Sequence, residues 1–366
     1  MVASEGIRVD EALRSVGERA LRWSASRRGF LQAGVGVAAS AFLAACGVSQ
    51  STGGTPRKKV AFILPSYTQA RWQNADQKYF QQEAAKHNLD VLIQVSNDDE
   101  VLQASQVDNV LTQQIDVLVL TAVNVDTAKA MVRKAKNANV PTIAYNYIIS
   151  DVPLAAVVSR DAKQVGHDLA AAVVAAAPKG NYVLVFGDQG TSVAQDKGSG
   201  CLSVIQPLVD SGDIKIVSQQ WNRAWAPDLA QKQVENAMTA NRNNIQAVLP
   251  MNDGMAYGAI QALKGQGLGG KVPVTGEDCE VQALKLINEG SMLASSFTPF
   301  NQMGIAAAKA AAAVANGQKV TTDKTIDNGQ GAVPWVQIAA FNVTKSTLSK
   351  FLDDYPWWAT RAQVGI

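Results

Sequence analysis

The chain is short of the side chains that build catalytic and metal centres: two histidines and three cysteines in 366 residues. His87 and His167 each stand in a helical pattern, with no cysteine or carboxylate at metal-ligand spacing, so no metal and no cofactor is expected. Ser192 lies in no G-x-S-x-G turn and has no histidine near it in sequence to act as base. Glu277 and Asp278 are adjacent, whereas glycoside hydrolysis needs carboxylates opposed across the scissile bond. These absences argue against an enzyme. Cys201 and Cys279 are too few for a disulfide framework in a chain this long and read as buried free thiols. Charge of neither sign dominates: Lys and Arg total 33 against 31 Asp and Glu, with no basic tract, which excludes nucleic acid as a partner.

A long hydrophobic run is missing as well. The uncharged stretch 29–45 is shorter than the roughly 18–20 residues that cross a bilayer, and alanine and glycine dilute it. Its flanks carry more meaning. Ser26-Arg27-Arg28-Gly29-Phe30-Leu31 is a twin-arginine export motif, and the stretch ends in Leu43-Ala44-Ala45-Cys46-Gly47. Paired arginines, an apolar run, small residues and then cysteine read as a lipoprotein signal of the Tat class. Cleavage before Cys46 makes its thiol the lipid attachment point and places the remainder outside the cytoplasmic membrane. Residues 1–45 are therefore read as signal peptide and 46–58, rich in Ser, Gly and Thr, as a flexible tether. Six of the 33 Lys and Arg and four of the 31 Asp and Glu fall within 1–45, so 27 of each follow, with no polybasic second anchor.

Downstream, short β-rich runs alternate with longer helical patterns. Runs at 60–64, 89–95, 117–121 and 142–145 read as buried strands, with helical spacing at 72–87, 101–114 and 127–139 between them. The rhythm repeats with strands at 155–159, 182–186, 214–219, 247–249, 272–275 and 293–296. This alternation predicts an α/β protein with two doubly wound, parallel-sheet, Rossmann-like lobes. Gly265 to Gly270 spells G-x-G-x-x-G, but a helix precedes it and a strand follows, the reverse of a nucleotide-binding turn. Ligands of open α/β sheets collect beyond the carboxyl ends of strands. There the chain carries Arg71 and Trp72, Asn146 and Tyr147, Gln195, Trp225, Asn252, and Asp278. Tryptophan faces cover the C–H patches of a sugar ring while amides and carboxylates bond its hydroxyls.

In this order the residues resemble the sugar-binding proteins of ABC importers, the ribose- and D-xylose-binding kind with the type I periplasmic binding protein fold. The resemblance runs from about 59 to 344. It rests on Arg71-Trp72-Gln73, the Gly190 to Gly198 loop, Trp225, Asn252-Asp253, Gly276-Glu277-Asp278, and Asn328-Gly329 with Val333-Pro334. It implies two lobes, 59–158 plus 299–325 and 159–298 plus 326–366, joined by three chain crossings near 159–160, 298–299 and 325–328. It further implies that Trp72 and Trp225 sandwich a monosaccharide, that Asn252 and Asp278 bond its hydroxyls, and that Arg71 contributes from the first lobe. The implied partners are that ligand, an ABC permease and the lipid anchor, for a monomeric protein.

The departures from the family pattern point to specificity. Asn146-Tyr147 stands where such proteins usually carry Asp-Arg, Gln195 where ribose binders carry Arg, and Thr298 where a hinge Lys or Gln touches the ligand. Asn and Tyr form fewer, neutral bonds than a carboxylate or a guanidinium fork. A neutral ligand with another hydroxyl pattern than D-xylose is expected: a different pentose, a deoxy sugar or a polyol. A receptor for a membrane kinase and an exported carbohydrate-active enzyme are the alternative readings.

Overall fold

The computed structural model describes residues 57–366. Cys46 and the export motif lie outside the described residues. Among those described, no helix is long and apolar enough to cross a membrane.

The first lobe is built on β1 (Lys58–Leu64), β2 (Leu89–Val95), β3 (Val117–Leu120), β4 (Thr142–Tyr145) and β5 (Ala156–Ser159), all paired in parallel. β1 lies between β2 and β3 and is buried on both faces. Val60, Phe62 and Leu64 pack toward the helices Lys78–Lys86 and Phe300–Ala315, and Ala61 and Ile63 toward the opposite side. That period of two explains why the run reads as continuously apolar.

After β5 the chain crosses to the second lobe. β6 (Gly180–Phe186), β7 (Ile214–Trp221) and β8 (Ala247–Pro250) pair in parallel, and a single bridge from Val248 to Val274 joins them to β9 (Thr275–Glu277) and β10 (Ala294–Phe297). The chain returns through Thr298 and Pro299 to helix Phe300–Ala315, which covers the first sheet. β11 (Thr325–Asp327) and β12 (Ala332–Gln337) then extend that same sheet, β12 parallel to β5. β13 (Phe341–Thr344) finally pairs with β10 in the second lobe. Two parallel-stranded, helix-covered lobes with three crossings match the expected architecture.

Two details differ from the sequence reading. The third crossing was expected near 325–328, but the chain stays in the first lobe to Gln337 and crosses at 338–340. Asn328-Gly329 is instead the turn of the β11–β12 hairpin. Asn328 donates to the carbonyls of Ile149 and Val152, and Trp335 Nε1 donates to Ser159 Oγ, so the hairpin is held to the first lobe. The helix expected over 72–87 is also split. Trp72–Gln77 forms a wide π turn before helix Lys78–Lys86. Its looser winding brings residues five apart onto one face, which lets Arg71 fork Asp76 at 2.8 and 3.0 Å.

Candidate functional site

The carboxyl ends of both sheets face one another across the crossings, and the lobes are closed. Val125 N donates to Gly190 O at 2.9 Å and Ile148 N to Ser192 Oγ at 2.8 Å, both bonds running from the first lobe to the second. Between them lies a cavity lined by Gln69, Arg71, Trp72, Asn146, Tyr147, Arg160, Val193, Lys197, Trp225, Asn252, Glu277 and Asp278. Its volume, about 20 Å³, holds little more than one water-sized sphere. Anything as large as a six-membered ring therefore fits only when the lobes part. A larger hollow of about 820 Å³ opens beside it, lined by Gln73, Gln77, Gln81, Glu280 and Trp357 among others. That hollow is walled largely by exposed amides, whereas the small cavity collects the buried charges.

Local structure explains how each group gets there. Arg71 is clamped by the Asp76 fork and lies between two rings, 4.2 Å from the Trp72 centroid and 3.6 Å from that of Phe300. From this seat its Nη1 points across the cleft to Asp278, 3.9 Å away. Asn252 caps helix Asp253–Gly265 with its side-chain oxygen, which accepts from Met255 N at 2.9 Å and leaves the amide donors for the cavity. Asn146 accepts from Arg160 Nη1 at 2.5 Å and likewise keeps its donors. Trp225 packs against Gly187, where an added Cβ would come within 2.1–2.5 Å of the indole. Asp188 pins the turn before it by accepting from Ala224 N at 2.6 Å.

Three of the residues that line the cavity have left-handed backbone: Asn146 at φ 64°, Trp225 at φ 57° and Asp278 at φ 110°. Asparagine tolerates this; tryptophan and aspartate do so at a cost, and such strain concentrates where a side chain must be aimed. At Asp278 the effect is direct. Successive side chains of a strand alternate, yet Glu277 and Asp278 both line the cavity because the backbone turns between them.

The cavity floor is a buried ion triad. Arg160 donates to Glu277 at 2.7 and 3.0 Å; Lys197 donates to the same carboxylate and, at 2.6 Å, to Met251 O. The Lys197 ammonium also lies over the Trp225 ring, 4.5 Å from its centroid. Burial pushes Glu277 up, but the two cations more than reverse this and hold it at about 2. Asp278 goes the other way: burial, with repulsion from Glu277, outweighs Arg71 and pushes it up to about 8.

These shifts fix a pH dependence of opposite signs. Between the ordinary value of 3.8 and about 8, folded Asp278 holds a proton that the unfolded chain releases, so stability falls as pH rises through that window. Glu277 adds stability above its usual 4.5 that is lost as pH falls toward 2. Denaturant titrations of Asp278→Asn are expected to show a flattened decline between pH 4 and 8 with the acid limb unchanged; an unaltered decline contradicts the assignment.

The structure brings together seven of the nine expected ligand residues: Arg71, Trp72, Asn146, Tyr147, Trp225, Asn252 and Asp278. The other two lie elsewhere. Gln195 is exposed on the far face of helix Ser192–Asp210, its amide donating to Gln189 O at 2.8 Å. Thr298 is fully buried in the second crossing, its hydroxyl without a partner, and does not line the cavity. Arg160, Lys197 and Glu277 line the cavity as well but are not among the expected ligand residues. Lys197 carried a signal: it stands four residues after Val193 on the buried stripe of its helix, where a lysine is out of place.

Comparison with known proteins agrees with this fold. A family model described as a periplasmic binding protein domain matches residues 60–319. The chain is 35% identical over 290 residues to the D-xylose-binding periplasmic protein of Escherichia coli strain K12, covering 79% of this chain and 88% of that protein. It is 27% identical over 282 residues to the xylitol-binding protein of Mycolicibacterium smegmatis, covering 77% and 79% respectively. An ABC transporter solute binding protein from Clostridium phytofermentans with bound β-D-glucose superposes with a TM-score of 0.77 at 23% identity, over 84% of this chain and all of that one. At that identity the likeness is one of fold.

Proposed function

Since the chain belongs to the periplasmic binding protein domain family, we propose that it captures a neutral monosaccharide or polyol outside the cytoplasmic membrane and hands it to an ABC permease. The family is one of substrate-binding transport proteins, not of enzymes, and its setting is extracytoplasmic. The observation that carries the ligand class is the inter-lobe cavity, in which Trp72 and Arg71 of one lobe meet Trp225, Asn252 and Asp278 of the other. Indole faces and paired donors and acceptors suit a ring or chain of hydroxyls. Relatives named for xylose and xylitol support the same class. A ligand that touches both lobes supplies the free energy of closure, and an open form takes it up.

Asn146, with its oxygen already occupied by Arg160, offers only amide donors where a carboxylate would accept. This supports a ligand that differs from D-xylose in hydroxyl pattern. A thermal-shift screen over pentoses, hexoses, deoxy sugars and polyols tests both statements. A ligand at 100 times its Kd adds about 2.7 kcal/mol of stability. A clear upward shift with a polyol or a sugar other than D-xylose is expected. No shift with any of them contradicts the ligand class, and tight D-xylose binding contradicts the specificity.

The anchor belongs to the same proposal. The twin-arginine motif and Leu43-Ala44-Ala45-Cys46 support export followed by lipidation of Cys46. Cys46→Ser is expected to move the protein from the membrane fraction to the soluble one without changing ligand affinity. A wild-type protein found wholly in the soluble fraction contradicts the anchor.

A further inference from the structure

The C-terminal segment lies beyond the matched domain, yet it reaches both flanks of the Arg71–Asp278 contact. Trp358 Nε1 donates to the carbonyl of Cys279 at 2.6 Å. That carbonyl closes the left-handed turn Asp278–Cys279, at φ 110° and 53°. The same indole packs on Phe300, centroids 5.7 Å apart, and the Phe300 ring carries the Arg71 guanidinium on its face. Its neighbour Trp357 meets Tyr79 of the first lobe edge-on at 5.3 Å, at the rim of the large hollow. Phe297 and Phe300, on either side of the second crossing, complete the aromatic cluster.

We propose that Trp357 and Trp358 form a closure clasp: Trp358 is a positioning residue that sets Arg71 and Asp278 against each other across the cleft, and Trp357 latches the second lobe to Tyr79 of the first. The proposal rests on the ligand site described above. The turn is strained, and its three amides point inward. Asp278 N donates to Ser296 O at 2.8 Å, Cys279 N to Ser295 Oγ at 3.0 Å and Glu280 N to Asp253 Oδ2 at 2.8 Å. These bonds hold the turn from the sheet side, and the Trp358 bond holds it from outside. Without that bond the turn relaxes and Asp278 gains water. The charged and titratable groups around Asp278 are Arg71, Glu277, Glu280, Lys197, Asp253, Tyr147 and Cys279, none of which Trp358→Phe removes.

Trp358→Phe in the full chain tests this: an aromatic ring stays in the cluster, while the indole N–H and the five-membered ring that carries it are lost. Hydrogen exchange is expected to quicken at the amides of 278–280 alone. The Asp278 carboxyl, followed by carbon NMR on labelled aspartate, is expected to titrate lower by about half a unit or more. Whichever of xylitol and D-xylose the wild type binds is expected to bind about tenfold more weakly. Trp357→Ala and Tyr79→Ala are expected to be non-additive in closure measured by small-angle scattering, with Asp278 titrating as in the wild type. Unchanged exchange and an unchanged Asp278 midpoint in Trp358→Phe overturn the proposal. These two readouts need no sugar, so they separate its failure from that of the proposed function.

Discussion

Glu277→Ala lowers the unfolding free energy by about 3–5 kcal/mol, the usual cost of removing one partner from a buried ion pair. The side chains of Arg160, Lys197 and Glu277 are only 1–2% exposed, so water replaces little of what the carboxylate supplied. Two cations are left facing each other. Arg160 keeps its bond to Asn146 and Lys197 its bond to Met251 O, but neither partner carries charge. Because the triad joins the first crossing to β9 and to helix Ser192–Asp210, the loss falls on the elements that orient the second lobe. Urea or guanidinium unfolding is expected to show a lowered midpoint with an unchanged slope. Glu277→Gln keeps one acceptor and the side-chain shape and falls between. A Glu277→Ala midpoint within about 0.5 kcal/mol of wild type contradicts a buried triad.

Arg71→Lys weakens ligand binding by about a hundredfold or more while the protein stays folded. The fork to Asp76 uses Nε and one terminal nitrogen, so the other terminal nitrogen is free to face the cavity and Asp278. A charge-assisted bond is worth about 1.5–3 kcal/mol, and a ligand that engages two donors loses at least about 3 kcal/mol. Each 1.4 kcal/mol is about tenfold in Kd. Lysine preserves the charge beside Asp76 but neither the fork nor the flat stack between Trp72 and Phe300. Burial disfavours the Arg71 cation, yet Asp76 and Asp278 outweigh it, so the guanidinium stays charged and the loss is one of geometry. Calorimetric titration with the best compound of the thermal screen measures it; an affinity within threefold of wild type contradicts the placement of Arg71 at the ligand.

The alternation of apolar runs was enough to read two parallel-stranded lobes, because strands buried on both faces leave uninterrupted stretches such as 60–64. The third crossing, which the resemblance implied near 325–328, falls later, because Asn328-Gly329 is the turn of the β11–β12 hairpin and such a turn signal looks the same at a lobe boundary. Cavity residues were legible in the segments that follow strands, as with Arg71-Trp72 after β1 and Asn146-Tyr147 after β4. They were not legible within a helix. Gln195 and Lys197 stand two residues apart, and only helical phase, about 200° between them, separates the exposed amide from the buried ammonium. Glu277 and Asp278 both face the cavity because of the positive φ of Asp278, which is invisible in composition. The Trp358 bond to Cys279 O joins residues 79 apart in sequence, and no local pattern encodes such a contact.

Isothermal titration of wild-type protein and Trp225→Ala against the same sugar or polyol tests the central claim most directly. Trp225 contributes an indole from the second lobe to the inter-lobe cavity. The account predicts one saturable site per chain in the wild type and at least a tenfold weaker one in the variant, since burial of an indole face is worth about 1.5–3 kcal/mol. Superimposable isotherms from the two proteins contradict it.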